Sequence, residues 1–218
     1  DVLGSRGLGD VYKRQDIIYV TFSHKMSATF ESMAKAIEQL KQTYPERTVS
    51  VVDTKHISMA AGIVVYYAAK LHNEGASDEE VVKFVESFRE RVKCYFTVSN
   101  LIYLKRGGRL SSFKAFVGTL FDIKPIISNI DGKLENIEKS KGRKKSLKDL
   151  TGYLEKDKVD LSYPIVIMNA DCDPDADYTV SAIREKYPDA EIWEQLVGPV
   201  IGSHCGPDTI GMIFVAAE

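Results

Sequence analysis

Net charge is almost absent from this sequence: 29 Lys and Arg stand against 31 Asp and Glu, a formal charge of -2 over 218 residues. A chain so nearly neutral carries no dominant field for nucleic acid or an anionic membrane surface. Long apolar runs are missing too, and none approaches the roughly 20 residues a membrane-spanning helix needs. The first residues lack the basic start and apolar core of a signal peptide. Cysteine is scarce. Cys94, Cys172 and Cys205 are odd in number and show no CxxC spacing. That argues against a disulfide framework or structural zinc and for a reducing cytoplasm. There is no Gly-x-Ser-x-Gly elbow and no Walker loop, which weakens a reading as a free-standing enzyme.

What is present is an ordinary globular composition, 44% hydrophobic and 28% charged. The length allows one large domain or two small ones. Residue 1 is Asp rather than Met, and residues 1–15 have no clear period. They are expected to be a foreign or artefactual leader and are set aside.

Ile17 to Leu40 reads as strand, hydroxyl-rich loop and helix. Ile17–Phe22 is a short β-favouring run of the kind buried in a parallel sheet. Ser23–Thr29 follows, and then Phe30, Met33, Ala34, Ile37 and Leu40 recur at helical spacing. The loop sits at a strand's carboxyl end and a helix's amino end, where free N–H groups and the helix dipole suit an anion. Ser27 or Thr29 would equally serve as a plain helix cap. Thr48–Asp53, a polar loop Thr54–Ser58 and a helix carrying Met59, Ile63, Tyr66 and Tyr67 repeat the pattern. Two such units imply parallel strands. His56 and Ser58 are expected to hold that loop and cap its helix.

Ser77 and Glu80 form a capping-box pattern. It opens a helix with an apolar face from Val81 to Val92. The texture changes near residue 93, where a domain boundary is expected: 16–92 as the remainder of an N-terminal α/β domain, 93–218 as a C-terminal one. Tyr103–Ser111 reads as a basic Gly-Gly turn that could meet an acidic partner, or whose Ser111 or Ser112 caps a helix at Phe113–Phe121. Ile123–Ser128 and Leu134–Glu138 read as antiparallel strands joined across Asp131-Gly132, a hairpin signal. The basic run Lys139, Lys141, Arg143, Lys144, Lys145 and Lys148 reads as a solvated face or as a docking patch.

Asp171–Asp177 imitates a calcium loop but carries Ala176 and Ala182 where Gly and a bidentate Glu are needed. It is expected to be a loop and helix N-terminus. Gly198–Pro207 reads as an irregular loop around Ser203, His204 and Cys205. His204 is a candidate ligand there as well as a structural group. Adjacent side chains point apart, so Cys205 and His204 are poorly placed as nucleophile and base.

Taken in order, Ser23-His24-Lys25-Met26-Ser27-Ala28-Thr29, Val52-Asp53-Thr54-Lys55, Tyr103-Leu104-Lys105-Arg106-Gly107-Gly108-Arg109, Lys141-Gly142-Arg143-Lys144-Lys145 and Gly198-Pro199-Val200-Ile201-Gly202-Ser203-His204 resemble the DegV family of bacterial fatty-acid-binding proteins. The resemblance covers about residues 16–218. It implies a two-domain α/β fold: a parallel-sheet N-terminal domain, incomplete here because the family's first strand and Thr-bearing ligand loop are missing, and a C-terminal α/β domain with a mixed or antiparallel sheet. It implies a carrier rather than an enzyme, one that presents a long-chain fatty acid to the ATP-binding subunit of a fatty acid kinase. A transient membrane contact is compatible with that role; nucleic acid and a cofactor other than the bound lipid are not expected. Ser27 and His204 match the carboxylate-binding serine and histidine, and the Ala28 backbone N–H joins them where the family usually has Gly. Arg143, with Lys141 and Lys144, matches the kinase-docking surface. A carboxylate needs several donors, and an acyl chain gains about 0.8 kcal/mol per buried CH₂ in an apolar tunnel. Phe113, Phe116, Val117, Leu120, Phe121 and Ile126 are candidate lining and equally candidate core. A hydrolase using Ser27 or Cys205 with His204, or a basic interaction module at residues 139–148, are the competing readings.

Overall fold

A computed structural model of the chain describes residues 16–108 and 122–218. The stretch 1–15, Arg109, Ser111 and Ser112, the expected helix Phe113–Phe121 and five of the six candidate lining residues lie outside them.

The two strand–loop–helix units form as expected. Strand β1 (Ile17–Thr21) leads to helix α1 (Thr29–Thr43), and β2 (Val49–Asp53) leads to α2 (Ser58–Asn73). β1 and β2 pair in parallel, with Ile17 opposite Val49 and Thr21 opposite Asp53. Helix α3 (Asp78–Arg91) opens on the capping box: Glu80 N–H donates to Ser77 Oγ, and Ser77 N–H donates to the Glu80 carboxylate at 2.8 Å. Its apolar face, Val81, Val85 and Phe88, is buried.

A second sheet has six strands in the order β5-β4-β3-β8-β6-β7. They are β3 (Val92–Thr97), β4 (Ile123–Ile130), β5 (Lys133–Lys141), β6 (Ile165–Ala170), β7 (Ile192–Leu196) and β8 (Thr209–Val215). Only β6 and β7 run parallel; the other neighbours are antiparallel. The β4–β5 hairpin turns on Asp131 and Gly132, both at positive φ, the backbone that a tight two-residue turn demands.

Alternation along the central strands gives this sheet two faces. Tyr95, Ile167, Met212 and Phe214 point to one side and pack against α5 (Arg143–Lys156) and α6 (Asp173–Lys186). Val166, Met168, Ile213 and Val215 point to the other and pack against α2, α3 and Val52 of β2. Ile126 lies in the first cluster beside Leu147 and Leu150, so it is core rather than cavity lining. Asp173 and Asp175 do open a helix, with Pro174 in its first turn.

Two segments read as loops are helical. Ile102–Arg106 forms α4, and Pro199–Cys205 forms α7. Pro199 supplies a φ suited to the first helical position, and Gly206 ends the helix at φ +80. Glycines also let α4 and α7 touch. A Cβ at Gly206 would lie 2.3 Å from the Tyr103 ring, and one at Gly107 would lie 2.4 Å from His204 Nδ1. Among the described residues no helix is long and apolar enough to cross a membrane.

Candidate functional site

The carboxyl ends of β1 and β2, helices α4 and α7, and the second face of the large sheet surround a cavity of about 480 Å³. That is within the range of small-molecule sites. Phe22, Met26 and Ser27 come from the loop after β1, and Ile57, Ser58 and Ala61 from the start of α2. Alternate residues of β3 and β8 form the floor, and Leu104, Val197, Ile201, His204 and Cys205 complete the wall. The lining is overwhelmingly apolar, with a few hydroxyls, two thiols and one imidazole.

A polar lattice holds the loops in place. Ser23 is fully buried; its Oγ donates to Gly132 O at 2.7 Å and its N–H to His56 O at 2.8 Å. Lys25 Nζ meets Asp131 at 2.5 Å, and Lys55 Nζ meets Glu90 at 2.8 Å. His24 pairs with Asp53. The hairpin turn, more than 100 residues on, thus clamps the first loop, and the second is held to the same hairpin by Asn129 Nδ2, which donates to Lys55 O at 2.6 Å, and by Lys55 Nζ, 3.6 Å from Asp131.

His56 holds its loop, as expected. Asn129 Nδ2 stands 2.8 Å from Nδ1, and Nε2 stands 2.8 Å from Arg89 O. Since the amide and the carbonyl fix the roles, Nε2 carries the proton and the ring is neutral. Burial pushes its pKa below the ordinary value of 6.5. The unfolded chain therefore takes up a proton first as pH falls. Stability from this group is complete above pH 6.5 and drains as pH drops from there through the folded pKa, at up to about 1.4 kcal/mol per pH unit. We expect His56→Asn to melt lower at pH 7.5 and to depend less on pH between 7 and 5; parallel melting curves for both proteins would refute this. Ser58 does not cap α2. It is the first helical residue, its Oγ reaches Met168 Sδ at 3.2 Å, and it lines the cavity.

Ser27 and His204 are brought to the same cavity from segments 177 positions apart in sequence. Ser27 is half-buried. Its Oγ lies 2.9 Å from Thr29 Oγ1 and accepts the Thr29 N–H at 3.2 Å. Ala28 is the N-cap of α1, and no side chain caps that helix start. Ser27 takes the Thr29 N–H, and the other first-turn N–H groups have no side-chain cap, so this helix start suits an anion. His204 Nδ1 is buried and has no hydrogen-bond partner among the described residues. A buried nitrogen of this kind is costly unless something meets it.

The thiols offer little nucleophilic chemistry. Burial pushes Cys94 up to about 12 and raises Cys205 as well, away from the thiolate. Among the described residues no group of three or more His, Cys, Asp or Glu could hold a metal ion.

Arg143, at the first turn of α5, is tied inward. Nε donates to Asp175 at 2.7 Å and a terminal N–H to Asp208 O at 2.7 Å. Lys141 and Lys144 are exposed, and Lys144 Nζ lies 5.8 Å from the Tyr178 ring centroid.

Sequence reasoning missed most of the lining. One signal was available: Cys94 and Phe96 on β3, and Thr209, Gly211 and Ile213 on β8, line the cavity at the two-residue period of a strand face.

Comparison with known proteins places residues 9–217 in the family described as uncharacterised protein, DegV family. The match begins inside the stretch 1–15 set aside above. A DegV domain-containing protein of Clostridium perfringens is 42% identical over 201 residues, covering 91% of this chain and 69% of that one. The structure of DegV from Bacillus subtilis, a fatty acid binding protein, is 30% identical with a TM-score of 0.79, covering 95% of this chain and 73% of that one. The Streptococcus pneumoniae Fatty Acid Kinase (Fak) B3 protein loaded with linoleic acid superposes with a TM-score of 0.83, 93% and 72% coverage, and 23% identity, a likeness of fold.

Proposed function

The chain belongs to the DegV family, and on that premise we propose that it binds a long-chain fatty acid in the 480 Å³ cavity. Its carboxylate would be held by Ser27, the Ala28 N–H and His204. One observation carries the reading: the imidazole of His204, whose buried Nδ1 has no partner among the described residues, stands with Ser27 in the wall of a cavity whose lining is mainly apolar. A carboxylate would satisfy that nitrogen, and the apolar wall would take the acyl chain at about 0.8 kcal/mol per CH₂. The fatty acid binding of the Bacillus subtilis relative supports the same ligand class.

The finer reading is a carrier, not itself the phosphoryl-transfer enzyme, that presents the carboxylate to a kinase subunit in the cytoplasm. The description of the Streptococcus pneumoniae neighbour supports it, and exposed Lys141 and Lys144 beside Arg143 are the proposed docking surface. A division into two domains near residue 93 accompanies this reading: the strand set changes there, although one apolar cluster runs through both parts. A hydrolase reading loses support from the raised Cys205 thiol.

Solvent extraction and mass spectrometry of the purified protein are expected to release about one fatty acid per chain, as a single-site cavity requires. A cavity that is empty on purification, and that takes up no added hexadecanoic acid, overturns the proposal.

A further inference from the structure

Gly211 sits in the middle of β8, one of the two central strands of the large sheet. A glycine there weakens the strand, and such a glycine often marks a place where a ligand comes close. Its backbone has no need of it, because its φ is not in the left-handed region. Packing has no need of it either. An added Cβ would meet Met168 Cβ at 3.6 Å and Phe96 Cβ at 3.8 Å, ordinary contacts. What the missing side chain does is leave space.

That space has a shape. Phe96, Gly211 and Met168 are direct register partners across β3, β8 and β6. The row therefore reads large, nothing, large, which makes a groove along β8. Thr209, two residues before, donates to Gly206 O at 2.9 Å at the end of α7, so it marks the end of the groove near His204. Ile213, two residues beyond, closes the other end with Cys94 as its register partner. Each two-residue step is about 6.6 Å. The opposite face of β8 is filled by Ile210, Met212 and Phe214.

We infer that Gly211 is the specificity-determining residue for acyl-chain length: the alkyl chain crosses the sheet floor over residue 211, in the groove between Phe96 and Met168. This rests on the fatty-acid reading of the same cavity. Every methylene beyond residue 211 adds about a factor of four in affinity when buried, and a side chain at 211 removes those methylenes from the groove.

The test compares wild type, Gly211→Ala and Gly211→Val, each after delipidation, by calorimetric titration with octanoic and hexadecanoic acid. The variants are expected to melt at or above the wild-type temperature, since glycine is replaced at an unstrained position. The wild-type preference for hexadecanoic over octanoic acid is expected to fall at least tenfold in the valine variant and by less in the alanine variant. Unchanged preference in both variants, with wild type binding hexadecanoic acid, overturns the inference and leaves the fatty-acid reading standing. Failure of wild type to bind either acid overturns both. If valine prevents folding, the alanine variant decides alone: an unchanged preference refutes the inference and a reduced one supports it.

Discussion

His204→Ala is expected to weaken fatty-acid binding about ten- to 150-fold, equivalent to about 1.5–3 kcal/mol for one charge-assisted hydrogen bond, while leaving the melting temperature close to wild type. The reason lies in what the imidazole does and does not touch. Its Nδ1 has no partner among the described residues, so removing it breaks no hydrogen bond of theirs at that atom. Gly107 makes room for the ring, since a Cβ there would lie 2.4 Å from Nδ1. Ser27→Ala is expected to behave alike with a smaller loss, because its bonds are confined to Thr29 two residues away. Ser23→Ala is the internal control. Its buried hydroxyl donates to Gly132 O, so that variant should lose stability, not ligand specificity. Direct titration with hexadecanoic acid, beside thermal melts, separates the three. Wild-type affinity in both His204→Ala and Ser27→Ala would end the assignment of the carboxylate site.

Arg143→Glu is expected to lower the melting temperature by on the order of 10 °C, from a loss of about 2–4 kcal/mol at a few degrees per kcal/mol for a chain of this size. The sequence presents Arg143 as one of a basic run, and a charge reversal there looks like a surface change. In the fold its guanidinium is only about 20% exposed and bridges Asp175 and the Asp208 carbonyl. A glutamate would stand against Asp175 and leave that carbonyl without its donor. Docking is therefore better tested at Lys141→Glu and Lys144→Glu, which are exposed. These should melt like wild type yet slow acyl-phosphate formation by a kinase subunit, most at low carrier concentration and low salt. An unaltered melt for Arg143→Glu would show that the Asp175 pair contributes nothing, and unaltered turnover for the lysine variants would dismiss the docking surface.

The elements the sequence displays best are those governed by local rules. The Asp131-Gly132 turn, the Ser77–Glu80 capping box and the two hydroxyl-bearing junctions each involve residues within a few positions of one another. Helix α7 was legible in principle, since Pro199 stands just inside its start and Gly206 just past its end; the density of glycine and proline masks that arrangement. Arg143 shows a different limit. Its partner lies 32 positions away, and a run of like charges does not reveal which member turns inward. The cavity is hardest of all. Its lining is assembled from four strands of the large sheet, three helices and both loops, so only the alternation on β3 and β8 leaves a trace in one dimension.

The bond from Ser23 to Gly132 spans 109 positions, and the Lys25–Asp131 pair spans 106. Such a stitch cannot form by local search. The chain must first bring distant segments together at an entropic cost that grows with the logarithm of the intervening length. Contacts of this sequence separation are the slow ones in folding. During synthesis the loop carrying Ser27 leaves the ribosome long before the hairpin that clamps it. The loop that carries Ser27 is thus fixed only after the hairpin that clamps it has been made, and His204 and the β8 floor of the cavity follow later still.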